Sequence, residues 1–334
     1  MKRRLFLLMI VALWGYGLIQ AWSIRPYRGQ VFMYYRDQDA LKAETLEEAR
    51  RRETQKDDQD LYPEITAWLL NEEVLVRCQE PGKEKKADCM AVFGFREMAS
   101  FRPLLDGTYG YRTDESGCII SGGLAMELFG SVGVSGKHVW CRGRSYVVRG
   151  VTDDSGCVIL IPAGKEEKMR YLLMDLGADS AGASRAERFL YQYGMDSGYV
   201  CVDGSLFFAA AGLSCVLFLW VVMITQCYRL VKHGKHMAVR QRLELAGLAA
   251  AILLVSIVLI RYLELKIPAD LIPGKWSDFD FWTGKWKELD SRMGRMGEAY
   301  QVQWLEQLLR RTGAGVGCSA LAMAGYLIWD HRKS

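Results

Sequence analysis

Apolar residues in this chain are gathered into four blocks, with charged or mixed stretches between them. Residues 5–22 (LFLLMIVALWGYGLIQAW) carry no charge and follow directly on Lys2, Arg3 and Arg4. Residues 206–228 are also uncharged, long enough as a helix to cross a hydrocarbon core of about 30 Å. Residues 245–260 (LAGLAAAILLVSIVLI) form the third block, extended by Leu243, Tyr262 and Leu263. The fourth, residues 312–329, is uncharged but rich in Gly and Ala. Its Gly313 and Gly317, like its Ala320 and Ala324, recur at a spacing of four, which lets helix backbones approach closely in a membrane. The pattern predicts four transmembrane helices, over residues 1–22, 205–228, 243–263 and 312–329. The first reads as an uncleaved anchor. Its apolar run is longer than that of a cleaved signal peptide, and a cut after Ala21 would place Ile19 where a small residue is wanted.

Between the first two blocks lie residues 23–204, enough for a core of their own. Residues 37–60 are dense in charge and helix formers and predict a solvated helix. From Ile65 the pattern changes to short strand-like runs between turn residues: VLVRC, CMAVFGF, CIIS, HVWCRG, SYVVRGV, CVILIP and YVCVD. Helical stretches are expected at residues 122–129 and 183–193. Strands mixed with a few helices predict an α+β domain.

Charge then orients the spans. The 334 residues hold 43 Lys+Arg against 39 Asp+Glu, for a net charge of +4 and a mean hydropathy near zero. The edges that carry Lys2, Arg3 and Arg4, then Arg229, Lys232, Lys235, Arg240 and Arg242, then Arg332 and Lys333 against Asp330, sum to +9. Residues 23–204 hold 24 basic and 29 acidic residues, a net of −5. Short basic loops stay in the cytoplasm. The expectation is a multi-pass cell-membrane protein with both termini, the tail 330–334 and the loop 229–242 cytoplasmic. Residues 23–204 and a second loop, 264–311, are then extracytoplasmic. The net +4 is accounted for by topology, so no nucleic-acid partner is expected. That second loop carries Trp276, Phe279, Phe281, Trp282 and Trp286, which suit an interfacial aromatic belt. With 50% apolar residues and 33 Gly that follow no period, collagenous and disordered classes are excluded.

Candidate chemistry is sparse. Six of the nine Cys (Cys78, Cys89, Cys118, Cys141, Cys157, Cys201) lie in residues 23–204, an oxidising setting if that segment is outside. Cys78 and Cys89 flank a polar turn and form the first candidate disulfide; buried thiols on strands are the alternative. His138 is the one histidine in that segment and no C-x-x-C pair occurs, so a zinc site has little to be built from. Residues 130–137 (GSVGVSGK) imitate a phosphate loop, but the second Gly is one position late and His138 stands where Ser or Thr should follow. Asp153 and Asp154 read as a turn after a strand rather than as an acid/base pair. No catalytic residue, cofactor or metal is expected, and the chain reads as a non-enzyme.

Residues 65–154 resemble the extracytoplasmic core domain of MacB-like and FtsX-like ABC transporter permeases. The likeness is carried by an L-x-x-G turn at residues 104–107, the acidic Asp114, a short helix ending Leu128-Phe129-Gly130, then Val134, Gly136, Lys137, Gly143 and Val148-Arg149-Gly150-Val151. Gly130, Gly136, Gly143 and Gly150 are read as scaffold positions that need special backbone angles. One helix, a large outside domain and three further helices match that family's layout. The resemblance implies a permease-like subunit that couples a separate cytoplasmic ATPase to the outside domain, often as a homo- or heterodimer in the bilayer. By the same analogy Arg229, Lys232, Arg240 and Arg242 would dock the ATPase. The alternative is a membrane-anchored binding or sensing module without an ATPase.

Overall fold

The computed structural model describes residues 2–36, 41–55, 63–78, 83–177, 182–196, 198–233, 238–265, 275, 279–296 and 302–331. The chain divides into two compact units. One is helical, built from Met1–Gly29, Asp203–Trp286 and Leu305–Ser334. The other is built on a sheet, from Gln30–Val202 and Lys287–Trp304.

The helical unit contains α1 (Lys2–Ser23), α6 (Gly204–His233), α7 (Val239–Tyr262) and most of α9 (Gln303–His331). Each of these four holds a stretch long and apolar enough to cross a membrane. Small residues set the closest approaches. A Cβ on Gly17 of α1 would lie 3.0 Å from Ser319 Oγ and 3.1 Å from the Gly315 carbonyl of α9. Ser319 Oγ in turn lies 3.4 Å from Cys215 Sγ of α6, and Trp14 Nε1 donates to the Cys215 carbonyl at 3.1 Å.

Among the described residues the sheet unit holds ten strands: β1 (Gln30–Tyr35), β2 (Glu64–Cys78), β3 (Glu84–Phe93), β4 (Leu104–Gly107), β5 (Gly117–Ser121), β6 (His138–Cys141), β7 (Arg144–Thr152), β8 (Val158–Pro162), β9 (Tyr171–Asp175) and β10 (Tyr199–Asp203). Their order is β10-β1-β9-β2-β3-β8-β5-β7-β4, with β6 pairing β2 and β7. The helices are α2 (Ala43–Thr54), α3 (Arg96–Ser100), α4 (Gly122–Phe129) and α5 (Gly182–Gln192); α8 (Phe279–Met296) lies in the second loop. Strands interleaved with helices in a mixed, largely antiparallel sheet make this an α+β fold.

One strand serves two cores. Ile65 and Ala67 of β2 pack with α2 and α5, against Leu46, Leu172 and Leu190. Further along, Val76 and Cys78 pack with α4, against Leu124, Leu128 and Ile120. The inward positions change from odd to even because the β2–β3 register shifts between Asn71 and Val74, where Glu73 takes φ 55°. A bulge adds one residue and so turns the next side chains back to the same face.

α4 follows β5 directly because Ser121 caps it. The Ser121 hydroxyl accepts from Leu124 N at 3.2 Å and from Val158 N at 2.9 Å, and donates to the Gly156 carbonyl at 2.6 Å. Gly130, at φ 69°, ends the helix. Gly136 and Gly143 also take positive φ, as their turns require. Gly150 departs from that expectation. It lies inside β7, and a Cβ there would meet the Thr108 carbonyl at 2.6 Å, so it is a glycine of space rather than of angle.

Candidate functional site

In the helical unit the charged side chains that pair between helices collect at the helix ends. At one end α1 terminates at Ser23, whose carbonyl accepts from Arg311 Nη1 of α9 at 2.9 Å. Trp22 stacks on Tyr262 at the end of α7, with centroids 4.8 Å apart, and Arg25 lies over the Trp22 ring. Arg28 pairs with Glu264 at 2.7 Å and lies over Phe208 of α6, while Tyr27 donates to Gln307 Oε1 of α9 at 3.0 Å. Ser23, Phe208, Tyr262 and Gln307 therefore share one end of the bundle. At the other end Arg229 of α6 pairs with Asp330 of α9, both largely buried. One turn further in, Gln226 Nε2 and Thr225 Oγ1 meet the Tyr326 hydroxyl at 2.7 and 2.8 Å. The four helices thus alternate in direction.

The resemblance segment makes a charge cluster in the sheet unit. The Asp114 carboxylate accepts from Arg149 Nε at 2.7 Å, Ser116 N and Gly117 N at 3.0 Å, and the Ser116 hydroxyl at 2.9 Å. Burial alone would raise its pKa, but the Arg149 and Ser116 bonds outweigh it and hold the carboxyl down at about 2. Arg96, buried among these groups, donates to the Asp114 carbonyl, and burial lowers its own pKa. Asp106 accepts from Ser135 N at 3.0 Å and Ser135 Oγ at 2.6 Å. Residues 104–107 are a strand, β4, with the turn only at Gly107, where φ is 74°. Asp114 ties down the loop that leads into β5.

The cysteines are arranged otherwise than expected. Cys78 ends β2, and its amide donates to the Lys83 carbonyl, whereas Cys89 sits opposite Asn71. Seven residues of strand separate the two positions, about 23 Å at about 3.3 Å per residue. The disulfide expectation overlooked that a hairpin pairs residues at equal distances from its turn, and this turn is centred well before Cys89. The thiol facing Cys89 is Cys141, with sulfurs 3.9 Å apart. Their strands, β3 and β6, flank β2 on opposite sides. Both thiols are free.

The four basic residues expected to dock an ATPase differ in setting. Arg229 is engaged by Asp330; Lys232 lies over the Tyr228 ring at 5.6 Å; Arg240 pairs with Glu244 at 3.0 Å with its side chain 89% exposed; Arg242 is exposed. Lys235, Arg332, Lys333 and Trp276 lie outside the described residues. Residues 130–137 run from the end of α4 to the start of β6, whereas a phosphate loop runs from a strand into a helix. His138 is exposed, with Ser145 Oγ 3.5 Å from its ring. Asp154 Oδ1 accepts from Gly156 N at 2.9 Å, the turn expected of it. Among the described residues no cluster of three metal-binding side chains occurs. Reading the sequence missed the Arg28–Glu264 and Arg229–Asp330 pairs, whose signal was a lone charge at the edge of an apolar block.

No protein-family model matches the chain, and no curated protein matches it. Solved structures do. The periplasmic region of MacB from Actinobacillus actinomycetemcomitans aligns at 13% identity over 53% of this chain and 89% of that one, with a TM-score of 0.41. The extracellular domain of the noncanonic ABC-type transporter YknZ from Gram-positive bacteria aligns at 17% identity over 52% of this chain and 99% of that one, with a TM-score of 0.39.

Proposed function

We propose that this chain is an integral membrane subunit of the ABC permease type, which couples a separate cytoplasmic ATPase to an extracytoplasmic α+β domain. One observation carries the reading. Four apolar helices alternate in direction, and a folded sheet unit is inserted between the first and second. The charge asymmetry supports termini and loop 229–242 on the inside, with the sheet unit outside. That loop is then the one substantial cytoplasmic connection between described helices. Arg240, Arg242 and Lys232 are the residues we assign to ATPase docking, while Arg229 acts by holding α6 to α9. α7 is the least covered span and faces lipid or a second permease chain. No step of the proposal needs a cofactor or a catalytic residue of this chain.

Two measurements test it together. Reporter fusions after Gly204 and after Lys287 should both read outside; a cytoplasmic signal at either overturns the topology. Pull-down of the intact protein should recover an ATPase subunit. Charge reversal at Arg240 and Arg242 should weaken that association, with topology checked in the same variants. The second reading, an anchored binding or sensing module, is favoured by the ligand-sized cavity in the sheet unit. It takes over if topology holds and no ATPase associates.

A further inference from the structure

Strand parity separates the two faces of the sheet. Ala67, Cys89, Ile159 and Leu172 face the helix-covered cores, so their neighbours in sequence face the other way. On that second face lies a cavity of about 170 Å³. An apolar cavity of about 150 Å³ accommodates benzene, so this one is the size of a single ring with a short chain.

Its apolar floor is built from Trp68, Tyr171, Met90 and Leu160. Trp68 and Tyr171 stack with centroids 5.7 Å apart, and both are more than nine-tenths buried. The polar lining is unbalanced. Arg102 Nε and Asp154 Oδ2 face each other at 3.8 Å, so these two charges offset one another. Asp88 also lines the cavity, and its carboxylate has neither a hydrogen bond nor an ion-pair partner among the described residues. Gln303 contributes a buried Oε1 that accepts no hydrogen bond among them. An unbalanced carboxylate, an acceptor without a donor and two aromatic rings share one requirement: a ligand that brings N–H groups and a positive charge.

We propose that the cavity binds a small primary-amine cation with an apolar body, the ammonium meeting Asp88 and Gln303 Oε1 and the body lying on Trp68 and Tyr171. An anion is disfavoured by Asp88, and a zwitterion would find its carboxylate's one cationic partner, Arg102, already facing Asp154. Gln303 is also the first residue of α9, so an occupant would touch the start of the fourth apolar helix.

The test uses the full chain in lipid nanodiscs, titrated calorimetrically with phenethylamine, 2-phenylethanol and 3-phenylpropionate. Phenethylamine should bind saturably, and the alcohol and the anion at least about tenfold more weakly. Asp88→Asn should lose about tenfold in amine affinity, and Leu160→Trp, which fills the cavity, should remove binding. Glu115→Gln, a charge change on an exposed loop, should leave affinity unchanged. Thermal unfolding checks that each variant is folded. Equal binding of amine and alcohol, or unchanged amine affinity in folded Asp88→Asn, overturns the proposal. So does the absence of saturable binding, which would mean a cavity that holds water only. ATPase association is read separately, so failure here leaves the permease reading intact.

Discussion

The two units distribute their apolar side chains in opposite ways within one chain. In the sheet unit the leucines and isoleucines are inside: Ile119, Ile120 and Leu124 are fully buried, while Arg77, Glu84 and Lys85 lie on the surface. In α7 the order is reversed. Leu243, Leu254, Ile257 and Val258 are more than half exposed, and the buried side chains of that helix are Ser256 and Leu259. Charges follow the same inversion, with Arg229 and Asp330 turned inward onto one another. Water rewards the first arrangement and hydrocarbon the second. An unchanged rule about which group meets its solvent produces both patterns.

The largest expected break in this comparison comes from removing one partner of an inward charge pair. Asp330→Ala should destabilise the bundle by roughly 3 kcal/mol, measured by thermal unfolding in detergent, because Arg229 is left buried and unpaired. Glu84→Ala, which removes the partner of exposed Arg77, should cost within about 1 kcal/mol. Equal costs would mean that the two units share a solvent.

Next is a pair of exposed apolar residues. Leu254→Arg on α7 should oppose membrane insertion by about 3 kcal/mol, read as loss of the membrane-integrated fraction. Met126→Arg on the open side of α4, itself half exposed, should change stability by no more than about 0.5 kcal/mol. Tolerance of arginine at Leu254 would remove the case for lipid there.

The smallest effect is a pH limb confined to the sheet unit. The Asp114 carboxyl is held at about 2, below its ordinary 3.8, so it contributes stability above pH 4 that is lost as pH falls toward 2. The amount is roughly 2 kcal/mol, from the size of the shift. Asp114→Asn should be less stable at pH 7 and should flatten the acid limb of a denaturation series between pH 4 and 2. An unchanged limb would assign acid sensitivity to other carboxylates.

The four apolar helices were legible because an uncharged run is a one-dimensional signal. α1, α6, α7 and α9 each contain their block. α9 begins nine residues before its block, since Glu306, Arg310 and Arg311 broke the uncharged run without breaking the helix. α4 was legible to the residue because Ser121 and Gly130 mark its two ends. The charged helix expected over residues 37–60 is Ala43–Thr54 within the described residues. β1 and β9 were not seen as strands. Both are buried almost throughout, so they show no alternation by which a strand is read. α8 was hidden by its Lys and Asp content, and its aromatics were read as a belt on a loop. The cavity could not be read at all. Its lining comes from β2, β3, α3, β7, β8, β9 and the start of α9, elements far apart in the chain that only the folded sheet unit brings together.

The sheet unit is also discontinuous in the gene's order. Phe32 of β1 stacks on Trp304 with centroids 5.4 Å apart, and Trp304 Nε1 donates to Gln30 Oε1 at 2.7 Å. Trp304 belongs to Lys287–Trp304, the short second piece of that unit, encoded after Asp203–Trp286. A recombination event that moved Gln30–Val202 alone would transplant a domain lacking one wall of its aromatic core. Any exchange of this domain between chains must carry two separate stretches of sequence at once, which ties its inheritance to that of the helices between them.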